Sequence, residues 1–477
     1  MNQIPNKNVR DSILREYPSA RITGDFKDIT SIVANSSQAT KGSVFVCLRG
    51  KERDGHDFAM AAYENGCRHF LCERVLNLPA DASVATVDRL RSHLYNLLTD
   101  FYGIGEEDFI FVAVTGTKGK TTTSLILAHL LNRGGYPAAS STTLGLFDGD
   151  TWQETKNTTT DLFCLVPWLV KIKEKGMRYV VIEVSSAALA GGRLLGLPFH
   201  IGILTSFSKD HVGKGEHESM AEYLCAKRSL FSSYGIKTAI LPQDVLRGEF
   251  IVADAERILH LEEEEKVIQN VKEREEGQSF SYLGNDVYLS LIGAHNRMNA
   301  RLALTAASEL TGAAQTRFLS YLSDISIPGR YEQLSHKGIT VVIDYAHNEE
   351  SFAAVAEAAA RRTSGRMLCV FGSVGGRGEG RRAALAKAAS QWMDFSVITA
   401  DDPENESAFD ICSEIYASFS NKEKARIVVD RTAAIRYAFS LCRSGDTLLL
   451  LGKGHERVQK IRGNCIPFSE RSVVLSL

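Results

Sequence analysis

The chain has 477 residues, 44% of them hydrophobic and 23% charged, and a formal net charge of −2; these are ordinary proportions for a folded globular protein, and so small a charge excludes bulk attraction to nucleic acid or an anionic membrane. The length suits about three domains, no apolar run approaches the roughly 20 residues of a membrane span, and the opening "MNQIPNKNVRDSILREYPSA" lacks the apolar core of a signal peptide. Nine cysteines are dispersed without a C-x-x-C pair, so they read as reduced, buried small hydrophobes in a cytoplasmic protein.

In chain order, "GSVFVCLRG" (42–50) predicts a buried strand stopped by glycine, and "FAMAAYENGCRHFLCE" (58–73) a helix, a glycine turn and a strand. "YGIGEED" (102–108) reads as a linker. The wholly apolar "FIFVAV" (109–114) is a strand, followed by a glycine-rich turn and a helix over 123–133. "RYVVIEV" (178–184) is a second buried strand that ends in Glu183, and "HIGILTSF" (200–207) a third. The run "LEEEEKVIQNVKEREEG" (261–277) reads as solvated surface. After residue 326, five apolar strands (339–346, 366–372, 395–402, 425–430 and 447–454) alternate with alanine-rich helices. That alternation predicts a parallel, doubly wound sheet with ligands at the carboxyl ends of its strands, where Asp344, His347, Gly372, Asp401, Asp402, Lys453 and Glu456 fall. The expected division is 1–103, 104–326 and 327–477: an α/β chain of three domains, the central one a P-loop ATPase-like domain with a parallel sheet, the last Rossmann-like.

The stretch "VTGTKGKTTTSL" (114–125) resembles a phosphate loop but is short by the usual count, with Val114 where the first glycine belongs. Its glycines let backbone N–H groups turn inward, and the helix start behind them favours an anion. Gly116, Thr117, Lys118, Gly119, Lys120, Thr121 and Thr122 are the candidate nucleotide-binding residues. Lys120 would reach the β- and γ-phosphates, and the Thr121 hydroxyl would sit on magnesium. Glu183, at the end of the next buried strand, suits the same hard ion. His211, in "SKDHVGKGEH", taken alone reads as a structural histidine rather than a catalytic one.

Together these stretches resemble the Mur ligases, ATP-dependent amide-forming enzymes of peptidoglycan synthesis, which carry a shortened T-G-T-x-G-K-T-[ST] loop; "TGTKGKTT" (115–122) fits it. The resemblance runs from about residue 30 to 457. Its most specific parts point to the branch that adds the third amino acid, through "DGHDF" (54–58), "EVSSAALAGGR" (183–193), "DH" (210–211), "AKRSLF" (226–231), "GAHNRMN" (293–299), "PGRYE" (328–332), "DYAHN" (344–348), "DDPENE" (401–406), "DRTAAI" (430–435) and "GKGHE" (452–456). It implies ATP and two magnesium ions held by Thr121, Glu183, His211 and Lys227, with Lys227 carbamylated by CO₂. It also implies catalytic roles for Lys120, Lys227 and His211. His295, Asn296, Asn299, Arg330, Asp344 and His347 match the family's nucleotide-side residues. Ser36, Thr158, Thr159, Ser185 and Arg193 match contacts to a UDP-MurNAc-dipeptide, and Arg377, Asp401, Asp402, Glu404, Gly452 and Glu456 contacts to the incoming amino acid. No nucleic acid or membrane partner is implied, and a monomer is expected.

The chain departs from the family at Ala187 (usually His), Ser206 (usually Asn), Thr160 (usually Pro), in "DHVGKGEH" around Gly213, and in "FGSVGGRGEGRR" (371–382). The diaminopimelate-adding branch has D-N-P-R where this chain has Asp401-Asp402-Pro403-Glu404. An arginine there would grip a carboxylate, whereas Glu404 suits an ammonium, so lysine or ornithine is the expected substrate. Two other readings stay open: a paralogue that condenses a different peptide or metabolite, and an ATP-binding regulatory protein with an inactive site.

Overall fold

The computed structural model describes residues 8–50, 53–208, 217–243, 255–274, 277–376 and 379–477. The chain divides into two compact units, Met1–Ser208 with Ala221–Leu261 and Lys209–Met220 with Glu262–Leu477.

The first unit holds two sheets. Strands β1 (Arg21–Thr23), β2 (Ser31–Val33), β3 (Ser43–Val46), β4 (His69–Cys72) and β5 (Ser83–Thr86) lie in the order β1-β5-β4-β3-β2, parallel except for β1. Strands β6 (Ile110–Thr115), β7 (Ala138–Thr142), β8 (Gly145–Phe147), β9 (Trp152–Gln153), β10 (Tyr179–Glu183), β11 (Phe199–Leu204), β12 (Thr238–Pro242) and β13 (Arg257–Leu261) form the second, ordered β13-β12-β11-β6-β10-β7-β8-β9. It is parallel from β13 to β7, and β8 and β9 turn back antiparallel. Every residue of β10 is buried, which is why the strand reads as an unbroken apolar run up to its terminal carboxylate. β6 sits between β10 and β11, so the loops after these three strands open at one end of the sheet, at the switch in strand order where such sheets bind ligands.

In the second unit, β14 (Ile268–Arg274), β15 (Gly277–Tyr282) and β16 (Asn285–Leu289) form an antiparallel sheet. Strands β17 (Glu332–His336), β18 (Ile339–Asp344), β19 (Met367–Phe371), β20 (Phe395–Ile398), β21 (Ala425–Ile427) and β22 (Thr447–Leu451) lie in the order β17-β18-β22-β19-β20-β21, parallel except for β17. Successive side chains on β22 serve opposite faces. Leu449 and Leu451 join one core with helices Glu349–Ala360, Glu379–Trp392 and Ala408–Ala417, while Leu448 and Leu450 join another with Arg431–Leu441 and Glu470–Leu475. Helices on both faces make this the doubly wound sheet expected. The hairpin β23 (Val458–Ile461) and β24 (Asn464–Pro467) follows.

Three expectations need adjusting. The helix after the phosphate loop starts at Lys120 rather than 123. Over 262–274 the charge run is largely exposed but ordered, as a short helix Glu264–Val267 and strand β14, because Arg297 and Arg362 pair with Glu264 and Glu273. The cysteines are free, yet only Cys47, Cys67, Cys72, Cys369 and Cys412 are buried, and Cys225 and Cys465 are exposed.

Candidate functional site

Residues 116–119 link β6 to the helix Lys120–Arg133 as a tight loop. Gly116 has φ +149°, and a Cβ there would fall 2.0 Å from Thr205 Oγ1, so only glycine fits against the end of β11. The loop is tied to that strand end. Thr117 N–H donates to Ser206 O at 2.9 Å, and Lys118 N–H to Ser206 Oγ at 2.9 Å. Ser206 Oγ in turn donates to Lys118 O at 3.1 Å, so the departure at 206 keeps a polar clamp on the loop. Lys120 curls inward, its ammonium donating to Gly116 O at 3.1 Å and Thr117 O at 3.0 Å.

Glu183 is the hub beside the loop. It is 2% exposed, and its Oε2 accepts from Thr121 Oγ1 at 2.9 Å, Thr143 N–H at 3.0 Å and Thr143 Oγ1 at 3.1 Å. Oε1 has no donor among the described residues. A hydroxyl and a carboxylate with one oxygen held and the other open is a hard-oxygen set that fits magnesium. Next to it, Thr159 Oγ1 donates to Glu183 O at 2.9 Å and accepts Ser185 N–H at 2.9 Å, while Arg193 donates to Thr159 O at 2.6 Å. Burial lowers the Arg193 guanidinium against the pull of Asp161. Thr143 Oγ1 lies 3.3 Å from Thr158 Oγ1. Thr121, Thr158, Thr159, Glu183, Ser185 and Arg193 therefore come together as one hydrogen-bonded strip. Thr143 was missed from sequence. It follows β7, the parallel neighbour of β10, and that adjacency places it against Glu183.

Lys227, which as a bare residue on a helix reads as surface, is 1% exposed. Its Nζ donates to Gly116 O at 2.6 Å and lies 4.7 Å from the centroid of the Tyr223 ring. The Tyr223 hydroxyl is 2.9 Å from Thr117 Oγ1. The helix Met220–Ser233 thus backs the phosphate loop from beneath. Thr122 is buried one residue further along the loop helix. His211 and Arg377 lie outside the described residues.

Ser36 and the Asp54-Gly55-His56 stretch follow the neighbouring parallel strands β2 and β3. His56 Nδ1 is 2.6 Å from Asp54 Oδ1 and its Nε2 accepts Glu73 N–H at 3.1 Å, so the ring is held as a structural prop. Ser36 O accepts from Asn65 at 2.9 Å.

In the second unit, His295, Asn296 and Asn299 begin the helix Ala294–Thr311. The two asparagines are buried and satisfied: Asn296 donates to Ile292 O at 2.7 Å and Asn299 to Asn296 Oδ1 at 2.9 Å. His295 is exposed. Asp344, at the end of β18, accepts from the N–H groups of Tyr331 and Ala346, each at 2.7 Å, and burial raises its carboxyl against the nearby Arg330. The Arg330 guanidinium lies 4.8 Å from the Tyr345 ring centroid, and His347 Nδ1 is 2.9 Å from Tyr345 O.

The ends of β20 and β22 carry a buried charge cluster. Lys453 Nζ is 2.7 Å from Asp402 Oδ1, 3.8 Å from Asp401 Oδ1 and in contact with Glu456. Burial raises the Asp401 and Glu456 carboxyls, and the surrounding acids hold the Lys453 ammonium up against its own burial. Arg431 also acts on Asp401, so two cations face Asp401, Asp402 and Glu456 in a cluster rich in carboxylate acceptors. Gly452 has φ +110°, and a Cβ there would lie 2.6 Å from Asp401 Oδ2. Glu404 is half-buried with φ +53°; its N–H donates to Lys460 O at 3.1 Å, and its carbonyl accepts Arg462 N–H at 2.6 Å.

Three family models match: "Mur ligase family, catalytic domain" over residues 28–102, "Mur ligase middle domain" over 114–307 and "Mur ligase, glutamate ligase domain" over 329–454. The UDP-N-acetylmuramoyl-L-alanyl-D-glutamate–2,6-diaminopimelate ligase of Syntrophomonas wolfei is 30% identical over 468 residues, covering 94% of this chain and 95% of that one. Its namesake from Bacillus cereus is 30% identical over 479 residues, covering 97% and 96%. A solved structure of a ligase of that name superposes with a TM-score of 0.62 at 25% identity, covering 94% of each chain.

Proposed function

This chain belongs to the Mur ligase family, and from that premise we propose that it joins a free amino acid to UDP-MurNAc-L-Ala-D-Glu, adding the third residue of a peptidoglycan stem peptide. It is an ATP-dependent amide ligase. The observation that carries the substrate reading is the strip around Glu183, where the phosphate-loop Thr121 and the acceptor candidates Thr158, Thr159, Ser185 and Arg193 share one hydrogen-bond network. The three-domain division at 103 and 326 is part of the same reading.

The chemistry follows from joining a carboxylate to an amine. A carboxylate oxygen of the acceptor peptide attacks the γ-phosphorus of ATP, ADP leaves, and an acyl phosphate results. The amine of the incoming amino acid then attacks the acyl carbon, expels phosphate and loses a proton. Lys120 faces the transferring group, where a fixed cation is worth most. Magnesium, when bound, supplies charge neutralisation on the phosphates; Thr121 and Glu183 would hold it, with His211 and a carbamylated Lys227 completing the set. A ligation assay with UDP-MurNAc-dipeptide, ATP and a panel of amino acids, read by product mass, tests the whole reading.

Lys227→Ala is expected to lower turnover roughly 10- to 100-fold, the usual range for a group that supports a metal site. A carbamate keeps one N–H, which would preserve the bond to Gly116 O. Small carboxylic acids added to the variant should restore part of the rate. Wild-type turnover in a folded Lys227→Ala protein would remove the carbamate from the mechanism.

The incoming amino acid is read from charge. Asp402 is already committed to Lys453 and accepts Lys460 N–H at 3.0 Å, so it is not the group that reads the distal end of a substrate. Glu404 remains, and a carboxylate there favours an ε-ammonium over a carboxylate. Lysine or ornithine is therefore proposed over meso-diaminopimelate, by roughly 5- to 150-fold in kcat/KM. Glu404→Arg should narrow that ratio. A wild type that uses diaminopimelate best, as the names of its relatives describe for them, would overturn the charge reading at 404.

A further inference from the structure

Thr143 stands between the metal side and the acceptor side of the strip. Its N–H and hydroxyl both reach Glu183 Oε2, at 3.0 and 3.1 Å, and the same hydroxyl lies 3.3 Å from Thr158 Oγ1. A hydroxyl has one proton to donate. It cannot serve Glu183 and Thr158 at full strength together.

We propose that Thr143 is a positioning residue that couples occupation of the acceptor subsite at Thr158 to the aim of the Glu183 carboxylate. A ligand hydroxyl or amide that donates into the Thr158 Oγ1 lone pair facing Thr143 displaces the Thr143 proton, which then goes wholly to Glu183. Oε2 is then held by three committed donors, from Thr121 and from both groups of Thr143, and Oε1 is fixed in direction. The adjacency of β7 and β10 makes this possible, since it sets the loops after the two strands side by side. Thr143 is half-buried and so lies within reach of both subsites. The proposal rests on reading Glu183 as a metal ligand and Thr158 as an acceptor contact.

The test measures binding of Mn²⁺ with ADP, followed by the electron paramagnetic resonance signal of free Mn²⁺, in the full-length protein. Wild type, Thr143→Val, Thr143→Ser and Glu183→Gln are each measured with and without UDP-MurNAc-dipeptide. Valine keeps the shape and the backbone N–H but removes the hydroxyl. Thr143→Val should weaken Mn²⁺–ADP binding by roughly tenfold, as expected for loss of one bond to a ligating carboxylate. Thr143→Ser should bind as wild type does. The dipeptide should tighten Mn²⁺–ADP binding about fivefold in wild type and Thr143→Ser, and not in Thr143→Val. Weakened binding with the tightening intact would make Thr143 a simple prop and overturn the coupling. So would a wild type that the dipeptide does not tighten, or a Thr143→Val protein that matches wild type while Glu183→Gln binds poorly. Wild-type binding by Glu183→Gln would instead overturn the metal reading beneath the proposal.

Discussion

Lys120→Ala should lower amino-acid-dependent phosphate release by at least about a thousandfold, the scale on which a cation at a transferring phosphoryl group acts. The ammonium is held inside the curve of the loop by the carbonyls of Gly116 and Thr117. Alanine keeps the helix and leaves those carbonyls in place, so the melting temperature should stay within a few degrees of wild type. Lys120→Arg is expected to restore little, because a planar fork does not follow the short path a flexible four-carbon stem takes. A folded alanine variant with near-normal release would mean that the loop is not where ATP reacts.

The largest effect on stability is expected at Arg431. This residue and Glu470 are both fully buried, with Nη2 2.6 Å from Oε1. Arg431 also donates to Ala400 O at 3.2 Å and Leu451 O at 2.8 Å, while Glu470 Oε2 accepts Gly454 N–H at 3.1 Å. Removing one partner strands the other charge. Arg431→Met should therefore cost about 3–5 kcal/mol, read as a lowered urea midpoint, and the double variant Arg431→Met/Glu470→Met should recover part of it. Because Arg431 ties the ends of β20 and β22 together across β19, the same variant should raise KM for the amino acid more than KM for ATP. A single variant as stable as wild type would contradict the assignment of the pair as an anchor.

What could be read from the sequence follows burial. The parallel strands were legible because both faces are covered, so they appear as unbroken apolar runs ending in Glu183, Asp344 or Asp401. The loop after β6 was legible because its glycines are required locally and Lys120 follows them at a recognisable spacing. Thr143 was not, since a threonine in "STTLG" signals nothing until strand pairing places it on Glu183. Lys227 carried no sign of its burial, because a lysine on a helix is normally solvated and only the contact with Gly116 O explains its place. The hairpin β23–β24 was hidden for the opposite reason: β24 is exposed throughout, so no apolar run marks it.

That hairpin has a consequence for engineering. Beyond the bond from Glu406 N–H to Pro403 O at 2.9 Å, the segment Asp401–Glu406 takes its shape from its neighbours. Glu404 is paired on both sides with the backbone of Lys460 and Arg462, Asp402 takes Lys460 N–H, and Gln459 donates to Ala400 O at 3.3 Å and Asp401 O at 3.0 Å. Grafting the tetrapeptide Asp401-Asp402-Pro403-Glu404 alone into a relative would transplant its charges without the scaffold that aims them. The transferable cassette is two pieces far apart in sequence, 401–406 together with 453–467, which brings Lys453, the partner of Asp402, along with the hairpin, and a chimera that moves both should carry the amino-acid preference with it.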